Sequence, residues 1–363
     1  MTRYYCLSCG ENYPPFGLPH QCACGGVFSV ADLQYLPETY PSSNLPGMWR
    51  YKDAFGLDSS AEPFYLGEGA TALVADMDHA QSVYFKCEHL NPSGSFKDRQ
   101  SAVLMSLLKA RGINAILEDS SGNAGASVAQ YAAAAGVKSH IFIPSSSAGP
   151  KRQQIELSGA KVNMVDGLRS MATAAVLKTH AETGVPYASH ALLPFGLAAY
   201  ATIAFEIYES FGQMPEQVFA PIGHGSLFLG LLMGFEAIEA RTGERRPRMI
   251  GVQAENCAPV YRAWKGLFVL APSATIAEGT AVSEPVRMPE ILAKLRAGYD
   301  KLIAVKEDAI ARSYKELAAK GFYVEPTAGM VWAAWTMTLA DGANLGQSSV
   351  LILSGNGLKS IEN

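Results

Sequence analysis

The stretch Asn91-Pro92-Ser93-Gly94-Ser95-Phe96-Lys97-Asp98-Arg99 joins a strand-like run, Val83 to Cys87, to a helical pattern over Ser95 to Ala110. Its small and turn-forming residues let backbone approach a ligand closely. Lys97 falls in the first helical turn, where the macrodipole opposes a positive charge. An amine so placed is driven toward its neutral form, which a lysine needs to make a Schiff base with an aldehyde. Taken alone, the stretch is also compatible with a surface lysine beside a capping motif.

Outward from it, strand and helix patterns alternate. Ala115 to Leu117 reads as a strand, Ala124 to Ala135 as an alanine-rich helix, and His140 to Ile143 as a strand stopped by Pro144. Lys151 to Ser158, Lys161 to Val165 and Leu168 to Thr179 continue the alternation. A helix near Ala198 to Ser210, a strand Gln217 to Ala220, a helix Ser226 to Ala240 and a strand Met249 to Gln253 follow. Helices over Lys306 to Lys320 and Ala328 to Leu339, then a strand Val350 to Leu353, close the pattern. Such alternation predicts an α/β fold of parallel sheets covered by helices, in two domains. The expected organisation is a cysteine knuckle over 1–30, and an arm over 31–82 that joins the larger domain. A smaller α/β domain carrying Lys97 lies mainly over 83–200, and the larger α/β domain mainly over 201–363.

Ligands of open parallel sheets bind at the carboxyl ends of strands, in loops that lead into helices. Three further loops of that kind stand out. Ser120-Ser121-Gly122-Asn123 offers hydroxyls, an amide and free helix N–H groups, a combination suited to a carboxylate. Pro221-Ile222-Gly223-His224-Gly225-Ser226-Leu227 can turn its backbone N–H groups inward around an anion. A dinucleotide fingerprint needs G-x-G-x-x-G, yet residue 228 is Phe228 and the next glycine is Gly230; a Gly-Lys-Ser/Thr ending is also absent. A single phosphate monoester fits that loop better than NAD or ATP. Leu353-Ser354-Gly355-Asn356-Gly357-Leu358-Lys359 places the neutral hydroxyl of Ser354 at a strand end, in reach of a ring nitrogen. Singly, each loop is an ordinary cap or turn. Together they supply the parts that a pyridoxal-phosphate site requires.

Composition sets the bounds. With 363 residues, 48% hydrophobic and 17% charged, the chain is long enough for two continuous cores. Its formal charge of −4, without a lysine and arginine block, argues against a nucleic-acid partner. Met1 to Gly10 lacks the pattern of a secretory signal, and the most apolar run, Leu227 to Phe235, is too short to span a bilayer. No membrane partner is therefore expected, and cytoplasm is the expected compartment. In that reducing environment Cys6, Cys9, Cys22 and Cys24, each pair followed by glycine, match a closed structural zinc site of four thiolates. The second pair is C-x-C rather than C-x-x-C, and unliganded cysteines are the alternative. Cys87 and Cys257 stand alone and read as small buried hydrophobes.

These motifs resemble the second fold type of pyridoxal-phosphate (PLP) enzymes, the tryptophan synthase β-like group, and within it the threonine synthase branch. Asn91 to Arg99 is similar to that branch's N-P-T-G-S-F-K-D-R, Ser120 to Asn123 to its S-T-G-N, and Ser354 to Lys359 to its T-G-x-G-L-K. The cysteine module, Ala277-Glu278-Gly279 and Val324-Glu325-Pro326-Thr327 resemble further landmarks, so the likeness spans nearly the whole chain. It implies PLP as cofactor, an L-amino acid as substrate and a homodimer. Lys97 would be the Schiff-base lysine and the acid and base at the substrate carbons. Gly223, His224, Gly225, Ser226 and Leu227 would hold the cofactor phosphate, Asn123 the ring hydroxyl and Ser354 the pyridine nitrogen. Ser120 and Ser121, with Ser93, Gly122 and Asn123, would hold the substrate.

One stretch departs from the branch. Where threonine synthases tend to read N-P-x-R-x-E-G-Q-K-T before F-E-I, this chain reads Leu193-Pro194-Phe195-Gly196-Leu197-Ala198-Ala199-Tyr200-Ala201-Thr202 before Phe205-Glu206-Ile207. Leu193, Gly196 and Ala201 replace the asparagine, arginine and lysine, and Ala124 replaces a threonine. Each lost charge-assisted bond to a phosphate is worth roughly 1.5–3 kcal/mol. The expectation is therefore α-proton removal with β- or γ-elimination or replacement of a less charged leaving group, with Tyr200 and Phe195 lining the pocket. Threonine synthase proper, with Lys151 and Arg152 supplying cations, is the near alternative. Threonine or serine ammonia-lyase and cysteine synthase-like β-replacement are others. A non-catalytic zinc-knuckle binding module is the alternative of another class.

Overall fold

The computed structural model describes residues 2–36, 44–58, 60–76, 83–268, 271, 273–340 and 348–360. Parts of the expected arm, 37–43, 59 and 77–82, lie outside the described residues. The chain divides into two compact units, one of residues 1–69, 91–199 and 359–363, the other of 70–90 and 200–358.

The first unit opens with an antiparallel ribbon of β1 (Arg3–Cys6) and β2 (Phe28–Ala31). Its sheet is parallel, in the order β5 (Ala115–Glu118), β6 (Lys138–Pro144), β7 (Lys161–Val165). Helices α1 (Lys97–Ala110), α2 (Asn123–Ala135), α3 (Pro150–Leu157) and α4 (Arg169–Thr183) connect and flank these strands. Gly125 in α2 is required by a close approach, since a Cβ there would lie 1.8 Å from the Ser120 carbonyl oxygen.

The second unit is built on a six-stranded sheet in the order β10-β9-β8-β11-β4-β3. These strands are β3 (Leu73–Asp76), β4 (Val83–Lys86), β8 (Gln217–Pro221), β9 (Arg248–Ala254), β10 (Lys301–Val305) and β11 (Ser349–Ile352). All pairings are parallel except that of the edge strand β3. β8 and β11 are buried at every residue, as expected of parallel strands covered on both faces. Helix α5 (Phe195–Phe211) leads into this unit, and α6 (Ser226–Thr242), α7 (Pro259–Trp264), α8 (Met288–Lys294), α9 (Glu307–Ala319) and α10 (Pro326–Ala340) complete it. The run from Ser226 to Phe235 is wholly buried, because α6 is apolar around its circumference.

The expected boundaries need correcting in two places. Residues 83–90 belong with the second unit, because β4 pairs with β11 across Val83–Ser349 to Lys86–Ile352. β4 thereby lies between β11 and the edge strand β3, with Val83, Phe85 and Lys86 buried. Among the described residues of the arm, those up to Gly69 cluster with the first unit, whereas 70–76 belong to the second, as the approach to β3 and β3 itself. Lys86 projects from β4 into the buried interior and is held by Glu206 Oε2 at 2.6 Å and the Thr71 carbonyl at 2.7 Å.

Candidate active site

In the first unit the lysine loop is clamped at several points. Asn91 Oδ1 accepts the Gly69 N–H at 3.0 Å, and Gly94 closes a turn onto the Asn91 carbonyl at a φ of 87°. Asp98 accepts from the Ser93 N–H at 2.6 Å and from the Ser93 and Ser127 hydroxyls at 2.5 Å. Lys359 Nζ donates to the Ser93 carbonyl at 2.7 Å. Burial pushes the Asp98 carboxyl up to about 6, against these hydrogen bonds and the Lys359 charge, which hold it down. The clamp leaves Lys97 as the first residue of α1 with its position determined by the neighbours on both sides. Ser93, expected to touch substrate, instead spends its hydroxyl on Asp98.

Lys97 itself is half-buried, and its pKa is lowered from 10.5 to about 8. Desolvation is the chief cause; Glu118 works the other way and Arg169 adds to the lowering. The direction is that of the sequence argument, and loss of water is its largest cause.

The loop after β5 bends back on itself, with Ser120 Oγ accepting the Gly122 N–H at 3.2 Å. Ser120 is thereby buried, whereas Ser121, Gly122 and Asn123 are partly open at the start of α2, where the first helical N–H groups have no intrahelical acceptor.

Sequence reasoning missed the residues just beneath. Glu118 ends β5, Asp119 follows it, and His190 comes from the segment before α5; all three are buried, with their nearest polar side-chain atoms within 4.8 Å of one another. His190 Nδ1 lies 2.5 Å from Glu118 Oε1, and Arg169 Nη2 lies 3.5 Å from His190 Nε2. Thr173 donates to Asp119 Oδ2 at 2.6 Å. Burial raises the Glu118 carboxyl well above the usual range, helped by Asp119, and burial and the Lys97 and Arg169 charges depress the His190 imidazole. The signal was present as two acids directly before Ser-Ser-Gly-Asn at a strand end.

In the second unit, β8 ends at Pro221 and α6 begins at Ser226, so the glycine loop forms the helix N-terminus. Gly225 has a φ of 105°, and a Cβ there would meet Ile291 Cδ1 at 2.5 Å. Over Gly223 lies the Ala277-Glu278-Gly279 turn, whose Gly279 carbonyl would stand 3.3 Å from an added Cβ. Gly279 in turn leaves room for Thr327 Oγ1, so two separate sequence landmarks meet here. The Ser226 hydroxyl is buried with no hydrogen-bond partner among the described residues. An orphaned hydroxyl at a helix N-terminus suits a phosphate oxygen. Ser354 is buried at the end of β11, in a turn tied down by the Glu325 N–H on the Gly355 carbonyl at 2.9 Å. His224 and Leu227 complete the loop, the His224 carbonyl accepting from the Arg287 N–H at 3.2 Å.

Two expected pocket residues fall elsewhere. Tyr200 is fully buried in α5, and Phe195 packs edge-on against Tyr4 at 4.7 Å and Tyr13 at 4.9 Å, so its ring anchors the β-ribbon. Arg152 is paired with Glu156 at 2.8 Å on α3.

The four ribbon cysteines converge. Cys6 and Cys24 sulfurs are 3.5 Å apart, Cys9 and Cys22 3.7 Å, and Cys24 and Cys9 3.4 Å. A tetrahedral zinc with Zn–S near 2.3 Å would set sulfurs about 3.8 Å apart, so the donor set fits that ion after a few tenths of an ångström of expansion. Gly26 is obligatory, since a Cβ would lie 2.5 Å from Cys6 Sγ. Cys87 and Cys257 are buried, as expected of isolated thiols.

Two parallel-sheet units, one with a desolvated lysine at a helix start and the other with a glycine-rich loop at another, have the architecture of the second fold type of PLP enzymes. The chain belongs to the pyridoxal-phosphate dependent enzyme family, whose model matches residues 65–355. It is 29% identical to the threonine synthase of Methanocaldococcus jannaschii over 98% of this chain and 92% of that one. The Synechocystis threonine synthase is 32% identical over 76% of this chain and 72% of that one. Among solved structures, a threonine deaminase from T.th. matches with a TM-score of 0.68 at 26% identity, covering 81% of this chain and 94% of that one. Maize serine racemase, at 20% identity over 80% and 90%, shares the fold with a TM-score of 0.69. Among the described residues no helix is long and apolar enough to cross a membrane.

Proposed function

We propose that this PLP-dependent enzyme acts on an L-amino acid by α-proton removal followed by β- or γ-elimination or replacement of an uncharged or weakly charged leaving group. The observation that carries this reading is the loss of phosphate-binding side chains along α5. At Gly196 a Cβ would lie 2.7 Å from the Gln100 side chain, which would have to shift to admit an arginine. Ala201 is fully buried, so a lysine there would have to carry its ammonium into the packed interior. Leu193 is equally buried.

In this reading Lys97 holds the cofactor aldehyde, Gly223 to Leu227 its phosphate, Asn123 its ring hydroxyl and Ser354 its ring nitrogen. PLP, when bound, acts as an electron sink for the electrons of a broken Cα–H bond. Lys97, poised near neutrality, accepts and returns the proton at Cα. Ser121, Gly122 and Asn123, with Ser120 shaping the turn, orient the substrate carboxylate at the start of α2. A hydroxyl at Ser354 cannot keep a ring nitrogen protonated as a carboxylate would, which favours elimination over transamination.

Cys6, Cys9, Cys22 and Cys24 are proposed to hold a structural zinc. The knuckle then braces the site through His20, whose ring lies 5.2 Å from that of Tyr187, and through the Phe195 contacts. A cytoplasmic homodimer belongs to the same proposal; six cysteines outside any disulfide suit a reducing compartment, and light scattering tests the dimer.

The second reading is threonine synthase proper, favoured by the near full-length likeness to such enzymes. A panel of serine, threonine, O-acetylserine, O-phosphoserine and O-phosphohomoserine separates the two. Keto acid and ammonia from the hydroxyl or acetyl substrates support the first reading. Efficient release of threonine and phosphate from O-phosphohomoserine establishes the second.

A further inference from the structure

We infer that the Glu118–His190 pair is the proton donor to the departing group of the substrate. The inference rests on the elimination reading and adds the residue that makes a poor leaving group usable. The pair comes from two places, the carboxyl end of β5 and the segment before α5, and meets at 2.5 Å between Glu118 Oε1 and His190 Nδ1. Glu118 is the last residue of β5, two residues before Ser120 in the turn that leads into α2. Among the described residues Glu118 Oε2 is buried with no hydrogen-bond partner, and so is Asp119 Oδ1.

The groups facing the pair are Asp119 just after β5, Lys97 on α1, Arg169 on α4 and Tyr187 from the segment before α5; Thr173 of α4 holds Asp119. Arg169 is exposed as a residue yet reaches His190 Nε2 at 3.5 Å, so the pair has a polar outlet toward solvent. Two acids, one imidazole and two neighbouring cations share protons in little water. Burial raises the Glu118 carboxyl well above the usual carboxylate range, and burial with the Lys97 and Arg169 charges lowers the His190 imidazole. A cation in their midst would face both Lys97 and Arg169, so these residues are laid out for protons rather than for a metal ion.

The α5 stretch lacks the side chains that would stabilise a leaving phosphate, so an uncharged group such as hydroxyl must be protonated as it goes. Lys97 takes the Cα proton, and the Cα–H electron pair becomes the second Cα–Cβ bond. The Cβ–O bond breaks with both electrons on oxygen, and the Glu118–His190 proton joins that oxygen to release water. Proton return from Lys97 to the pair, directly or through solvent, resets the enzyme.

The test compares L-serine with β-chloro-L-alanine, whose chloride leaves without a proton. With Glu118→Gln, kcat/KM for serine should fall by about 10²–10⁴-fold, and that loss should exceed the loss on chloroalanine at least tenfold. His190→Asn should show the same selectivity, which keeps the test decisive should one variant fold poorly. Independently of turnover, the infrared spectrum of cofactor-free wild-type protein should show a protonated carboxyl band that shifts in D2O and vanishes in Glu118→Gln. Equal losses on both substrates, or no such band, overturn the inference. Absence of turnover for every amino acid in the wild type is a different outcome, since it removes the elimination reading on which the inference stands.

Discussion

Lys97 should become reactive near pH 8, more than two units below an ordinary lysine. Its folded pKa is about 8 against 10.5 for the free side chain, and desolvation is the leading cause. At pH 7.5 about one quarter of such amines are neutral, against about one in a thousand for an unperturbed lysine, an advantage of roughly two hundredfold in nucleophile. The linkage sign follows. A base whose folded pKa is depressed binds fewer protons folded than unfolded, so the amine costs stability below pH 8, and that cost disappears as pH rises from about 8 to 10.5. The assay mixes cofactor-free protein with PLP over a range of pH, follows the visible absorbance of bound cofactor, and traps the adduct with borohydride. Labelling of the peptide carrying Lys97 should rise and level just above pH 8, with exposed Lys178 as internal reference. Arg169→Gln should move the midpoint upward, because the Arg169 charge contributes to the lowering. A midpoint near that of Lys178, or a pyridoxyl group on a different peptide, would refute both the desolvation argument and the assignment of Lys97.

Three other outcomes are expected. Glu206→Gln strands the Lys86 ammonium, which is buried and paired at 2.6 Å, and should cost about 3–5 kcal/mol in urea unfolding, whereas replacing both partners by apolar residues should recover most of it. Gly225→Ala places a Cβ 2.5 Å from Ile291 Cδ1 at a φ of 105°, so cofactor affinity by fluorescence titration should weaken about tenfold or more; an unchanged Kd would remove this loop from the phosphate site. Wild-type protein should carry zinc equimolar with chain by elemental analysis, and Cys24→Ser should lose most of it and melt at lower temperature; metal-free wild-type protein of unchanged stability would show the thiols to be unliganded.

Local patterns carried much of this protein. Alternating apolar strands and amphipathic or apolar helices follow from short-range periodicity, and so β5 to β7, β8, β9 and β11 with their helices were legible in advance. So were the motif loops, because a turn that brings backbone to an anion needs glycine and small residues wherever it is placed. Strand partners were not legible. β4 precedes the first unit's helices in the chain yet pairs with β11, and nothing within Val83 to Lys86 names a partner that far along the chain. Side-chain company was equally hidden. Tyr200 and Phe195 have the composition of a pocket wall, but packing buried one and turned the other against the β-ribbon. Glu118 and His190, distant in sequence, become one proton-sharing pair only when β5 and the segment before α5 come together, since hydrogen bonding and desolvation depend on neighbours in space rather than along the chain.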